Sequence, residues 1–218
     1  MSETGENTVS DESLKGAISE SVQQDKDVRT RVRDTTLKAL NSRTFDIKEI
    51  KRVVQSVTEG INLGLGKRSG EIKSALSEAM AGLDEALMKS AQATHLALRQ
   101  ITSQSKDFTD HELKDALDDL KLLEEAFLST VSHVAEGASS KVKQEMTELI
   151  THARRAGTDT GSKVAEVVNE FGSRLKSSLD GSATTSKEAA REVSKRLATI
   201  ASGILTGLAD ALHEKSKK

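Results

Sequence analysis

Apolar residues recur at a regular spacing between Leu113 and Leu179, in repeated steps of three, four and four residues. Each cycle takes eleven residues, which is close to three turns of an α-helix. Glu124, Gly157 and Thr160 are the positions on this stripe that are not apolar. The spacing therefore predicts helix throughout the region, with a narrow aliphatic stripe along one side. The stripe consists of Leu113, Ala116, Leu120, Glu124, Phe127, Val131, Ala135, Ala138, Val142, Met146, Leu149, Ala153, Gly157, Thr160, Val164, Val168, Phe171, Leu175 and Leu179.

An eleven-residue repeat averages about 3.67 residues per turn, so the stripe drifts little around a straight helix. A second stripe with the same spacing passes through Ile50, Ile61, Ile72 and Leu83. Stripes of this kind are typical of amphipathic helices that bury one face. The chain is therefore predicted to be all-α, an elongated antiparallel bundle of long amphipathic helices with 11-residue periodicity.

Turn-forming residues divide the chain into a tail and one bundle. Residues 1–12 are predicted to be a disordered acidic tail, and residues 13–218 a single helical bundle. Glycines allow a break at 157–161 within the third helical segment. The predicted helical segments are about 13–41, 45–105, 110–179 and 186–214.

Composition supports a long-helix protein. The 218 residues include no Pro and no Cys, and only 2% are aromatic. The absence of Pro leaves no strong helix breaker, and scarce aromatic residues argue against a sheet. Without Cys there are no disulfides, thiolate metal sites or cysteine nucleophiles. The polar start lacks the features of a signal peptide, and no apolar run is long enough to span a bilayer. We therefore expect a cytoplasmic protein without a transmembrane segment, one that could lie peripherally on a granule or membrane surface.

Charge is distributed in blocks, although the formal net charge is only −2. Residues 28–106 have a basic excess and residues 107–179 an acidic excess. Solvated faces explain most such blocks, but this alternation also favours antiparallel packing of the basic block on the acidic one.

The densest basic region lacks the aromatic residues that stack on bases, so we expect no nucleic-acid binding. We expect its side chains to pair with the acidic region Asp107–Glu125 or to be solvated. The region contains Arg29, Arg31, Arg33, Lys38, Arg43, Lys48, Lys51 and Arg52.

No catalytic, cofactor-binding or metal-binding residues emerge from the sequence. Dinuclear metal sites in helical bundles use Glu-x-x-His motifs, and none of the five histidines has a Glu three residues before it. Asp210 and His213 have this spacing, but they form a single pair with an Asp. No P-loop and no Gly-x-Ser-x-Gly motif is present. We therefore predict that the protein is not an enzyme and uses no cofactor.

The candidate functional residues are the strongest members of the apolar stripes and a set of glycines. Amphipathic helices that are only weakly apolar as a whole can lie on an interface with the apolar side buried. The residues predicted to bind a surface are Leu120, Val131, Val142, Val164, Leu175, Val193, Leu197, Ile200, Ile204 and Leu208. The glycines predicted to act as hinges are Gly60, Gly64, Gly66, Gly70, Gly157 and Gly161. For the first four, which lie close together, a close helix crossing is the alternative.

The eleven-residue repeats, with Ala, Lys, Glu, Ser and Thr at their flanks and no Pro or Cys, resemble three groups of proteins. These are the exchangeable apolipoproteins, the bacterial phasins that coat polyester storage granules, and the late-embryogenesis-abundant stress proteins. The resemblance covers about residues 45–212 and rests on period and composition. Apolipoprotein repeats often begin with Pro, which this chain lacks.

The resemblance implies a non-enzymatic bacterial protein, phasin-like or apolipoprotein-like, that coats or binds a lipid or polyester-granule surface. Phasins are frequently oligomers, so a homo-oligomer is compatible with it. The alternative is a structural coiled-coil scaffold, or a stress-protective protein that is disordered in water as late-embryogenesis-abundant proteins are.

Overall fold

A computed structural model describes residues 10–24, 26–43, 47–104, 110–178, 197 and 199–206. Within these residues the chain forms helices and no strands, which confirms the all-α class. Residues 199–206 are also helical, and the rest of the predicted segment 186–214, apart from residue 197, lies outside the described residues. The helices are α1 Asp11–Gln23, α2 Val28–Asn41, α3 Ile47–Lys67, α4 Ile72–Gln104, α5 Asp110–Glu136, α6 Ser140–Ala156 and α7 Asp159–Ser178.

Helix α1 begins within the segment that was predicted to be a disordered tail. The hydroxyl of Ser10 accepts the backbone N–H of Ser13 at 3.2 Å, which caps the helix. Asp11 and Glu12 lie in the first turn, where negative charge is favourable near the free N–H groups. The helix therefore starts before residue 13, and residues 1–9 of the predicted tail lie outside the described residues.

Helices α1 and α3 pack side by side in the same direction. Lys15 Nζ lies 3.2 Å from Glu59 Oε2, and further along both helices Arg68 Nη1 donates to the Val22 carbonyl at 2.7 Å. A Cβ added at Gly64 would lie 2.7 Å from the carbonyl oxygen of Ser19.

Gly60 makes a similar approach, since an added Cβ would lie 2.7 Å from the Lys15 carbonyl oxygen. Both glycines are buried inside α3. In this conformation Gly60 and Gly64 therefore permit a close helix contact, and their predicted hinge role stays a prediction. Gly66 also lies inside α3, and no atom of another helix lies within 4 Å of a Cβ added there.

Helices α2 and α4 make a second close pair. Gly82 of α4 lies against the backbone of Arg29, where a Cβ would collide with the carbonyl group. Glu85 accepts hydrogen bonds from Arg29 at 3.1 Å and from Arg33 at 3.2 Å. These arginines of the basic region therefore pair with a carboxylate of α4, which differs from the expected pairing with Asp107–Glu125.

Three turns interrupt the long predicted helical segments. Residues 68–71, which include Gly70, separate α3 from α4. Residues 137–139 separate α5 from α6, an interruption that the continuous apolar pattern did not indicate. Gly157 ends α6 with a φ of 84°, a value that favours glycine, and its N–H donates to the Ala153 carbonyl at 2.8 Å. Gly70 and Gly157 are therefore the predicted hinge residues that lie between helices.

Helices α4 and α7 run parallel, which corrects the expectation that the basic and acidic blocks pack antiparallel at this contact. Asp84 bonds to the backbone of Asp159 at 2.9 Å, and His95 lies 2.7 Å from Glu170. The second contact lies eleven residues after the first on both helices, so each side advances by the same three turns.

One aliphatic core joins all seven helices and includes Leu205. Helix α5 lies between α3 and α7, and α6 folds back along α5. Most described positions of the Leu113–Leu179 stripe are buried in this core, among them Leu113, Val131 and Val164. Among the described residues, none of the helices combines the length and apolar content that crossing a membrane requires.

We predict that Gly64→Ala lowers the free energy of unfolding by about 1–3 kcal/mol, because its methyl group would force α1 away from α3. The matched control is Gly16→Ala, which lies in the middle of α1 and is open to solvent. This control should raise stability by up to about 1 kcal/mol through helix propensity. Urea unfolding followed by circular dichroism measures both. A stabilising effect of Gly64→Ala would contradict the close-contact role and support a hinge.

Candidate surface-binding site

The three stripe positions that are not apolar meet at one level of the bundle. Glu124 lies on α5, while Gly157 and Thr160 lie at the junction of α6 and α7. The hydroxyl of Thr158, between the two, donates to Glu124 Oε1 at 2.8 Å and accepts the N–H of Gly161 at 2.8 Å. The polar interruptions of the stripe thus lie at one level, where Thr158, the residue after Gly157, links Glu124 to the start of α7.

Asp84 of α4 completes the cap of α7. Its carboxylate accepts the N–H of Asp159 at 2.9 Å and the N–H of Thr160 at 3.1 Å. The Thr160 hydroxyl, which is fully buried, donates to the same carboxylate at 2.6 Å. These donors are the N–H groups that a helix start leaves without partners inside the helix. Asp84 therefore fixes the position of α7 against α4.

Gly161 has a steric role beside this cap. A Cβ at this position would meet the Glu124 carboxylate, so glycine leaves room for Glu124 in the rotamer that bonds to Thr158. Gly161 lies inside the first turn of α7 and not in the preceding turn. In this conformation Gly161 permits a close approach between α7 and α5, and its predicted hinge role stays a prediction.

The Asp84 carboxylate is largely shielded from water. Burial raises its pKa above the ordinary value of 3.8, and the hydrogen bonds from Thr160 and Asp159 oppose this effect only in part. Within the described part of the chain, no group of three or more His, Cys, Asp or Glu residues is placed to hold a metal ion. Asp84 and Glu124 form hydrogen bonds to residues of another helix or its cap, and these bonds have a structural role.

Polar contacts continue along α4 and α7 beyond the cap. His95 is buried, with its Nε2 atom 2.7 Å from Glu170 and its ring edge-to-face with Phe171 at 5.9 Å. Arg99 lies 3.0 Å from the same carboxylate. We call this set the α4–α7 seam; it consists of Asp84, His95, Arg99, Thr160, Glu166 and Glu170.

The residues predicted to bind a surface lie mainly inside the bundle. Leu197, Ile200 and Ile204 are half-buried. Leu175 is in α7, but its side chain lies outside the described set, as do Val193 and Leu208 entirely. The buried members are Leu120, Val131, Val142 and Val164.

The described part of the closed bundle exposes few large apolar side chains to water. Among the described residues the exposed large hydrophobic side chains are Leu63, Leu96 and Leu122, one each on α3, α4 and α5. The four buried members of the predicted surface-binding set are therefore covered by other helices in this conformation.

Sequence reasoning did not identify Asp84 and His95 as contact residues. A signal was present, because they follow the stripe positions Leu83 and Thr94 directly and repeat after eleven residues. Their partners on α7, Asp159 and Glu170, are also eleven residues apart. Only the fold shows that α4 and α7 are neighbours.

The model of a family of unknown function (DUF6781) matches residues 4–214, so the chain belongs to that family. No curated protein and no solved structure matches it.

We predict that Asp84 makes the stability of the protein depend on pH in the acid range. Because its folded pKa is raised, the folded state holds a proton that the unfolded state releases between the ordinary value of 3.8 and the raised value. The contribution of Asp84 to the free energy of unfolding is therefore fully present below the ordinary pKa. It declines as the pH rises through the raised pKa.

The measurement is the free energy of unfolding of the protein minus that of Asp84→Asn, at several pH values from 3 to 7 in ~0.5-unit steps. Asn does not titrate, so the difference should fall as pH rises and then become constant. A difference that is flat or rises with pH would contradict the raised pKa.

Proposed function

We propose that this family member is a non-enzymatic protein that coats or binds a lipid or polyester-granule surface in the cytoplasm of a bacterium, in the manner of phasins or apolipoproteins. The helices that form the bundle in water separate at the surface and turn their apolar stripes towards it. One observation carries the proposal: the α4–α7 seam, which closes the bundle over the stripe, consists of polar and charged side chains.

Moving the apolar stripe out of water is favourable by a similar free energy whether the stripe enters the core or meets an apolar surface. A fully buried Val or Leu side chain is worth about 1.5–3 kcal/mol relative to exposure in water. In the closed bundle, the burial of Val131, Val164 and Val167 against other helices supplies this free energy. An apolar surface removes the same side chains from water, so adsorption offsets most of the cost of opening.

The polar seam lowers the cost of separating α4 from α7. The hydrogen bonds of Asp84 contribute about 0.5–1.5 kcal/mol each in net terms, because water replaces them when the helices part. Glu166 is 57% exposed and Arg99 is 62% exposed, so their charges are already hydrated in the closed state. If the contact were aliphatic, separating the helices would expose apolar side chains to water, and no new hydrogen bonds to water would offset that cost.

The composition of the core suits reversible adsorption. Its side chains are mainly Leu, Val, Ile and Ala, with Phe127 and Phe171 as the buried aromatic residues of the described chain. Tight interfacial anchoring usually uses Trp and other aromatic side chains. A stripe of small aliphatic residues instead favours a coat that binds weakly per helix and exchanges with the bundle in solution.

The alternative, a structural or stress-protective scaffold, draws on a different observation. The described helices bury nearly all their large apolar side chains, as a permanent bundle would. Surface binding separates the two functions, because a scaffold keeps its core closed whether or not an apolar surface is present.

We predict that the protein floats with lipid emulsions or polyester beads and that Leu197→Glu or Ile204→Glu lowers the bound fraction severalfold. A carboxylate in the stripe must be desolvated at the surface, which is costly. Gly203→Glu is the matched control, since it lies in the same helix, is exposed and has open space around it. The control should bind as the unmodified protein does.

Circular dichroism should show that each variant keeps its helix content before flotation. Binding that increases with apolar surface area, and that the two stripe variants lose, supports a coat. A protein that binds no emulsion, vesicle or bead of any composition refutes it and favours the scaffold.

A further inference from the structure

Helix α6 has an interruption at each end. Residues 137–139 precede it, and Gly137 has only the Val134 carbonyl oxygen near it, at 3.8 Å from an added Cβ. Gly157 follows it with a φ of 84° and open space around it. The Ser139 side chain makes no capping hydrogen bond to the helix. Backbone rotation at these two glycines changes the direction of α6 without steric conflict at either position.

The exposed side of α6 is basic. Lys141, Lys143, Arg154 and Arg155 are all exposed, two in the first turn and two in the last. The acidic residues of this helix are Glu145 and Glu148, and both lie by Lys73 of α4, at 3.6 and 3.5 Å. Glu145 is half-buried, whereas Glu148 is exposed, so the exposed side of α6 has four Lys and Arg side chains and one carboxylate.

The opposite side of α6 is a narrow apolar face. Val142, Met146 and Ile150 are buried in the core, at i, i+4 and i+8. This helix is thus a short amphipathic segment with a basic polar side, the arrangement found in helices that lie on anionic membrane surfaces. Its neighbour α5 exposes more acidic than basic residues, with Asp115, Asp119, Glu125 and Glu136 against Lys114 and Lys121, and an anionic surface repels such an excess.

We infer that α6 is the element that leaves the bundle first and docks on an anionic lipid bilayer, with Val142, Met146 and Ile150 in the interface and its basic residues on the lipid headgroups. The inference rests on the proposed function and adds which helix makes first contact and what charge the surface has. Rotation at Gly137 and Gly157 releases the helix, and the Lys73 pairs with Glu145 and Glu148 are broken. The loss of α6 uncovers part of the core and begins the opening of the bundle.

A reversible cross-link tests whether α6 must move. The chain has no Cys, so Lys73→Cys with Glu148→Cys creates the sole pair of thiols. The replaced side chains lie 3.5 Å apart and are more than half exposed, which suits a short bis-methanethiosulfonate linker. The control pair is Lys15→Cys with Glu59→Cys, which links α1 to α3 across a similar 3.2 Å contact.

Both linked proteins are floated with vesicles of equal parts phosphatidylglycerol and phosphatidylcholine, and with pure phosphatidylcholine. We expect the α4–α6 link to lower binding to the anionic vesicles at least about tenfold and dithiothreitol to restore it. The α1–α3 link should leave binding unchanged. Unchanged binding with the α4–α6 link in place would overturn the inference.

Charge variants provide a second test that does not constrain the fold. Changing Lys141, Lys143, Arg154 and Arg155 to Gln should weaken binding to anionic vesicles at least about tenfold. The matched control changes Arg31, Lys38, Lys51 and Arg52, which are equally exposed and remove the same charge. Equal binding of the two variants would show that the charge of the whole protein matters and that α6 does not.

The outcomes distinguish this inference from the proposed function. If the protein floats with neutral emulsions, and neither anionic lipid nor the α4–α6 link changes its binding, the role of α6 is refuted. The proposed coat function is not affected by that result. A protein that binds neither vesicles nor emulsions refutes the coat, and the inference falls with it.

Discussion

The burial of a continuous aliphatic stripe is the constraint on which this bundle depends. Helices as long as α4, with 33 residues, expose many Leu, Val and Ala side chains in water unless another helix covers them. Each stripe is too narrow to form a core alone, so α1, α3, α5 and α7 cover one another in turn. The glycines at the α1–α3 and α2–α4 contacts bring backbones close enough for small side chains to fill the space between them. Because small aliphatic residues supply little area each, the length of the helices supplies the stability.

Polar residues decide how these helices align. A uniform stripe allows two helices to slide past each other by one repeat with little change in apolar contact. Asp84 removes this freedom, because its carboxylate can accept the N–H groups of Asp159 and Thr160 only where α7 begins. Glu124 does the same for α5 through Thr158, and His95 repeats the constraint one cycle later with Glu170. Water can replace these hydrogen bonds once the helices part, so in the proposed function the contacts that set the alignment are also those that open.

The sequence predicted the helical class and the buried faces because both follow from a local period. Positions such as Val131 and Val142 could be identified without knowing which helix covers them. The interruption at 137–139 was missed, because Ala135, Ala138 and Val142 continue the apolar spacing across it. The sequence left two roles open for Gly64, a hinge and a close helix contact, because glycine is favourable for both. The pairing of Asp84 with α7 depends on which helices are neighbours, and residue spacing along one chain does not contain that information.

The central claim is that the face which closes the bundle in water is the face that meets a surface, so binding must separate α4 from α7. Electron-spin distance measurement tests it directly, with labels on Glu78→Cys and Ala165→Cys, which are exposed positions of α4 and α7 in a chain without other thiols. We expect one narrow distance distribution in buffer and a distribution at longer distances on lipid emulsion or polyester beads, with helix content retained. A bound protein whose distance distribution is unchanged would contradict it.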